Sequence, residues 1–292
     1  MKIGIDGYCY HRFFGEVYPG LEEEPGHRMT VSDLIQAASA AGAEALSIEH
    51  FMLAPGEDLE PLRAQLQDAP LDLMWAWGHP DGLGSGQRPE ELSSLKKHVE
   101  IAAYMGAEVM RICGGGRRTR LDVWDDHRRG LLPLLREATD YAEDRGVILA
   151  LENHLDFTSD QIIEIVAEVG SDHLGICLDT TNQLRMLEEP QLAIRKMAPY
   201  AKACHFKDAR PHLGDPQTFA FWPSVPVGDG IIDFPDALAA LDESGFDGIL
   251  ALEIDYLHPE YPSLDEAIYL SIERMQTLVA GYRDPYLKTL KA

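Results

Sequence analysis

Four side chains of metal-ligand type end four apolar runs in the second half of the chain. V-I-L-A-L-E-N-H at 147–154 carries Glu152, and H-L-G-I-C-L-D-T-T-N at 173–182 carries Asp179. A-K-A-C-H-F-K-D at 201–208 carries His205, and G-I-L-A-L-E-I-D at 248–255 carries Glu253. Apolar runs of this length suit strands buried on both faces. A carboxylate or imidazole at the C-terminal end of such a strand lies at the mouth of its sheet. The first three recur at intervals of roughly 26 residues, about one βα unit, and Glu253 follows after one unit plus a long loop. Together they read as one metal site. Three carboxylates and one imidazole favour Mn²⁺, Mg²⁺ or Co²⁺ over an ion that prefers thiolates, and Zn²⁺ also fits. Without a cation, three converging carboxylates repel one another strongly. The rival reading is that each acid caps a helix or pairs with a nearby base.

The elements that must hold these groups alternate along the chain. Strands are expected at 2–7, 45–49, 71–77 and 108–113 as well as in the four runs above. Helices are expected at about 30–41, 59–68, 89–106, 125–145, 158–170, from Pro190, and at 234–244 and 264–280. Thr30 is a plausible N-cap, Pro89 a good first helical residue, and Gly42 and Gly146 are natural stops. Eight strands alternating with eight helices imply a parallel sheet of the α/β class, closed into a single (β/α)8 TIM barrel over residues 1–292. An open doubly wound sheet would carry a glycine-rich phosphate turn after its first strand, where this chain has Gly7-Tyr8-Cys9-Tyr10. Gly114, Gly115 and Gly116 lack the Lys-Ser/Thr of a P-loop and read as a turn, or as room for a substrate's close approach. Residues 8–26 form an aromatic loop.

The chain has 292 residues, 45% of them hydrophobic, enough for a sizeable core. Its net charge of −24, with 25 Lys and Arg against 49 Asp and Glu, argues against a nucleic-acid partner. No apolar run approaches the roughly 20 residues that span a bilayer, so no membrane partner is expected. The start opens directly on a strand rather than on a signal peptide. Cys9, Cys113, Cys177 and Cys204 show no CxxC spacing and read as buried thiols of a cytoplasmic protein, with soft metal ligation as the rival.

The stretches L-E-N-H at 151–154, L-D-T-T-N at 178–182, H-F-K-D at 205–208, P-V-G-D-G-I-I-D-F at 226–234 and L-E-I-D at 252–255 resemble the xylose-isomerase-like TIM barrels. These are sugar phosphate isomerases and epimerases in the broad sense, including ketose 3-epimerases, hydroxypyruvate isomerase and inosose dehydratase. The resemblance covers essentially the whole chain. It implies that Glu152, Asp179, His205 and Glu253 bind a divalent metal, and that Glu152 and Glu253 also carry protons. The implied activity is isomerisation or epimerisation of a small keto-sugar or derivative. A metal-polarised carbonyl stabilises an enediolate while one glutamate removes a proton and the other returns one. Loss of CO₂ or water from the same enolate gives the alternative, a lyase acting on a branched oxo-sugar acid or a keto-cyclitol. The resemblance also implies a homo-oligomer, a dimer or tetramer.

Ketose 3-epimerases carry a histidine three residues after the metal aspartate, where this chain has Asn182. They also carry a substrate-binding arginine beyond the metal histidine, a place for which Lys207 and Arg210 compete. Asn153 and Asn182 are expected to hydrogen-bond sugar hydroxyls, as are Glu49 and His79 at strand ends. Arg111, within its strand, is expected either in a salt bridge inside the barrel or on a substrate anion. Trp222, in the long loop, is expected to stack on a sugar face. An apurinic-site endonuclease shares the barrel, but the acidity and the single strong histidine ligand count against it. A sugar-binding barrel with a silent site is the non-enzymatic alternative.

Overall fold

The computed structural model describes residues 1–213 and 222–283. Eight parallel strands close into a barrel: β1 (Lys2–Asp6), β2 (Ala45–Glu49), β3 (Asp72–Trp77), β4 (Val109–Ile112), β5 (Ile148–Glu152), β6 (Leu174–Asp179), β7 (Ala201–Phe206) and β10 (Ile249–Leu252). Each follows its sequence neighbour around the cylinder, and β10 closes on β1 in register Lys2 to Ile249. Helices α1 (Val31–Ala40), α2 (Leu59–Asp68), α3 (Leu92–Met105), α4 (Trp124–Glu143), α5 (Ser159–Val169), α6 (Pro190–Met197), α7 (Phe234–Glu243) and α8 (Leu264–Arg283) intervene. The apolar runs therefore formed strands because helices cover them on the outside and other strands face them within.

Local chemistry sets the helix ends. Thr30 and Thr158 each accept a backbone N–H three residues on, while Asp33 and Gln161 bond back to the caps, so α1 and α5 begin with capping boxes. Gly106 and Gly170 end α3 and α5 in the left-handed conformation at φ 85° and 68°. Three details depart from expectation. A 3-10 turn over Pro89–Glu91 precedes α3, the aromatic segment opens as a 3-10 helix over Gly7–Phe14, and β8 (Asp208–Ala209) pairs antiparallel with β9 (Ser224–Val225). Part of the long loop after β7, residues 214–221, lies outside the described residues.

Most of the core lies between the strands and the helices. The barrel interior holds a separate buried cluster of Met74, Ala150, Cys177, Ala203 and Ala251. Strand side chains alternate with period two, so Glu152, Asp179, His205 and Glu253 stand one step above Ala150, Cys177, Ala203 and Ala251. Small residues thus form the floor and ligand-type residues the layer above. A register shift between β6 and β7 adjusts this layer: Ile176 pairs with Ala201 but Cys177 with Ala203, which brings Asp179 opposite His205.

Candidate metal centre

Glu152, Asp179 and His205 each present a ligand atom within 4.8 Å of the other two, and all three are buried. Their supports explain why these atoms converge. One oxygen of Asp179, Oδ1, accepts the Thr181 N–H at 2.7 Å and the Asn182 N–H at 2.9 Å. The other, Oδ2, has no hydrogen-bond partner. Both ring nitrogens of His205 also lack one, although Asp6 Oδ2 lies 3.3 Å from Nε2 and Glu253 Oε2 lies 3.1 Å from Nδ1. Those contacts are close without hydrogen-bond alignment. Buried lone pairs left open and aimed at one region are what a divalent cation satisfies, and the O,O,N donor set suits such an ion.

Glu253, expected as a fourth ligand, stands beside this cluster rather than in it. Its Oε2 lies 3.0 Å from Lys207 Nζ, and Lys207 also reaches Asp179 Oδ2 at 3.2 Å and Asp255 Oδ2 at 3.4 Å. Burial alone would raise the Glu253 carboxyl, but Lys207 and His205 hold it well below the usual carboxylate range. Burial would likewise discharge Lys207, yet the Asp179, Asp255 and Glu253 carboxylates keep it firmly protonated. Glu152 is held low against burial by Arg111 and His154, while burial outweighs Lys207 at Asp179 and raises it.

The other expected site residues divide into two groups. Asn182, Lys207, Arg111 and His79 line a cleft of about 380 Å³ above the cluster, together with Glu152 and Glu253. Asn182 also donates to Glu152 Oε1 at 3.2 Å. Arg111 is salt-bridged inside the barrel, to Glu49 at 2.5 Å and Glu152 at 3.1 Å, while still reaching the cleft wall. Burial and then Arg111 pull His79 down to about 3, which leaves a neutral imidazole facing the cleft.

The remaining four do not line this cleft. Asn153 spends its whole amide on the Asp179 backbone, donating to O at 3.0 Å and accepting from N at 2.7 Å. Glu49 is fully buried against Arg111. Arg210 pairs with Glu260 away from the cleft, and Trp222 contributes its carbonyl to Arg185 at 3.5 Å. Strand-end position alone did not separate groups that fix the strands from groups that face solvent.

Residues not singled out in the sequence support the site, and one of them, Arg185, lines the cleft. Asp6 faces His205 from β1, and its K-I-G-I-D run repeats the apolar-then-acid pattern that marked Glu152. Arg185 reaches Asn182 Oδ1 at 3.1 Å and Asp255 at 3.6 Å. Asp208 accepts backbone N–H groups from Ala209, Gly228, Gly230 and Ile232. A Cβ on Gly230 would lie 2.1 Å from Asp208 Oδ1, so the P-V-G-D-G motif is a clamp on the loop after β7. A larger cavity, about 450 Å³, opens at the opposite barrel end near Lys2, Asp72 and Glu108 and holds none of the clustered ligand groups. The C-terminal ends of strands are where barrels of this kind carry function, so the smaller cleft is the site.

This architecture agrees with a match to the model of the xylose isomerase-like TIM barrel family over residues 35–276. The chain belongs to that family. It is 25% identical over 189 residues to inosose dehydratase of Lacticaseibacillus casei, a match spanning 57% of this chain and 63% of the relative, just under two thirds of its length. It is 28% identical over 209 residues to inosose isomerase of Bacillus velezensis, covering 66% of this chain and 70% of the relative. The crystal structure of the IolI protein with a bound zinc atom superposes with a TM-score of 0.75 at 20% identity, covering 97% of this chain and 99% of that one. No helix among the described residues is long and apolar enough to cross a membrane, and all four cysteines are free and buried.

Proposed function

We propose that this chain is a divalent-metal-dependent isomerase or epimerase of a small keto-sugar or sugar derivative. One observation carries the reading: Glu152, Asp179 and His205 converge, buried, with Asp179 Oδ2 and both His205 ring nitrogens without a hydrogen-bond partner, beneath a cleft that also holds Glu253. These three residues would hold the ion, and Glu253 stands beside them, close enough to become a further ligand or to remain the proton carrier. A divalent cation there supplies Lewis acidity towards a carbonyl oxygen. Glu152 and Glu253, both held ionised, are ready to accept a proton from the carbon beside that carbonyl. Lys207 steadies Glu253, Arg111 steadies Glu152, and neutral His79 and Asn182 offer hydrogen bonds to hydroxyls. Relatives named as inosose isomerases support the reading, and zinc in the similarly folded IolI protein makes zinc a candidate alongside manganese. We take residues 1–292 as one catalytic barrel, cytoplasmic and a dimer or tetramer.

Loss of water from the same deprotonated intermediate is the second reading, favoured by the relative named inosose dehydratase. Incubation with ketoses and inososes in D₂O with Mn²⁺ separates the two. Deuterium entering a recovered or epimerised sugar supports the isomerase, and an unsaturated dehydrated product supports the lyase. Glu253→Gln should lower turnover by about 10²–10⁴-fold, the range of a lost acid–base group, while still binding metal. Near-normal exchange in that variant removes Glu253 from the proton transfer.

A further inference from the structure

Five cations line the cleft of a chain whose net charge is −24: Arg111, Arg117, Arg118, Arg185 and Lys207. Three are committed to acids. Arg111 pairs with Glu49 and Glu152, Lys207 with Asp179, Glu253 and Asp255, and Arg185 with Asp255. Arg117 and Arg118 have no ion-pair partner among the described residues, and both are exposed. Elsewhere on the surface exposed arginines such as Arg28, Arg129, Arg136 and Arg195 each meet an acid. With nearly twice as many acids as bases, two adjacent unpaired guanidiniums on a cleft wall call for a reason.

The loop that carries them is held in place. Gly115 lies so close to the preceding loop that a Cβ would come 2.2 Å from Ser85 Oγ. Thr119 Oγ1 bonds the Gly116 N–H at 2.9 Å and Ser85 Oγ at 3.0 Å, and Gln87 donates to Thr119 O at 2.9 Å. Beyond the tip, Arg120 donates to Asp156 O at 2.7 Å. Both flanks are therefore anchored, and the two arginines are held on the wall of the cleft that Glu152 and Glu253 also line. Guanidinium forks suit oxyanions, which they bind with paired charge-assisted hydrogen bonds. Glu16 and Asp81 also line the cleft, so the positive field is local to this wall.

We propose that Arg117 and Arg118 form an oxyanion subsite, and that the substrate is a sugar derivative bearing a carboxylate or phosphate remote from its reacting carbonyl. This rests on the cleft being the substrate site proposed above. It explains why the acidic protein keeps two cations unneutralised: the ligand's own anion completes them.

The test titrates the full-length Mn²⁺-loaded protein with inorganic phosphate and, separately, with acetate at low ionic strength, by calorimetry. The same titrations are run on Arg117→Gln/Arg118→Gln and on Lys97→Gln, an exposed-charge control on α3. Saturable binding of either anion to wild type and to the control, weakened about tenfold or more in the double variant, is expected. A preference for phosphate identifies a phosphorylated sugar, and equal or better binding of acetate a sugar acid. Anion binding unchanged in the double variant, or lost equally in the control, overturns the subsite, as does failure of wild type to bind either anion. Mn²⁺ uptake, measured first, is scored separately: its absence counts against the metal centre, whereas arginine-dependent anion binding still stands on its own.

Discussion

Asp6 Oδ2 lies 3.3 Å from Nε2 of His205, with both side chains fully buried. The carboxylate thus faces the ring nitrogen opposite the one nearest Glu253 and Glu152. A carboxylate behind a ligating histidine fixes its tautomer and raises its basicity. Asp6→Asn should therefore weaken divalent-metal affinity by about 10–100-fold, read by metal titration of a variant with unchanged circular dichroism. Unaltered affinity would assign Asp6 to packing alone.

Arg111 is the buried cation on which Glu49 depends. Arg111→Met takes the cation away from Glu49, whose carboxyl burial already pushes up to about 8, and from Glu152, which Arg111 holds low, at a cost of about 3–5 kcal/mol. Denaturant unfolding of the single variant should show this loss. The double variant Arg111→Met/Glu49→Gln should recover part of it, because it leaves no unpaired charge at Glu49.

Trp75 is fully buried and donates its indole N–H to His98 Nδ1 at 3.3 Å. Burial, then His50, pulls His98 down to about 4, and burial does the same to His50. The folded protein therefore refuses protons that the unfolded chain takes up below its ordinary histidine value of 6.5. Stability is unaffected above that pH and falls between 6.5 and about 4. The midpoint of urea unfolding should drop through this window, with a change in Trp fluorescence as protonated Nδ1 opposes the indole N–H. His98→Gln keeps an acceptor without a titration and should make both changes shallower.

Asp208 gathers three backbone N–H groups of the loop leading to α7, from Gly228, Gly230 and Ile232, and that of its strand neighbour Ala209. Asp208→Ala should cost about 3 kcal/mol, since several buried donors lose a charged acceptor together. The same variant should raise KM, because the loop follows directly on Lys207. Equal stability in thermal melts would show that water replaces the carboxylate.

The barrel was legible because its signals are local. The runs ending in Glu152, Asp179, His205 and Glu253 are apolar strands with a polar end, and Thr30, Thr158, Gly106 and Gly170 mark helix ends by side-chain and backbone chemistry. Convergence of three of the four ligand-type residues followed from strand order. What each strand-end side chain touches did not follow, because that depends on neighbours distant in sequence. Asn153 and Glu49 occupy positions that look as exposed as Asn182, yet cross-strand partners claim them. Arg210 and Lys207 are near neighbours in sequence, but the turn after β7 sends one into the cleft and the other to Glu260. Arg117 and Arg118 carry no signal in the sequence that sets them apart, and only the anchored loop puts them on the cleft wall.

The most direct test is metal stoichiometry and affinity for the wild-type chain beside Asp179→Asn and His205→Asn. Chelator-stripped protein titrated with Mn²⁺ or Zn²⁺ should bind one ion per chain, and each variant should lose that binding while remaining folded. Wild-type protein that takes up neither ion, or variants that bind as tightly as wild type, would contradict a metal centre at Glu152, Asp179 and His205.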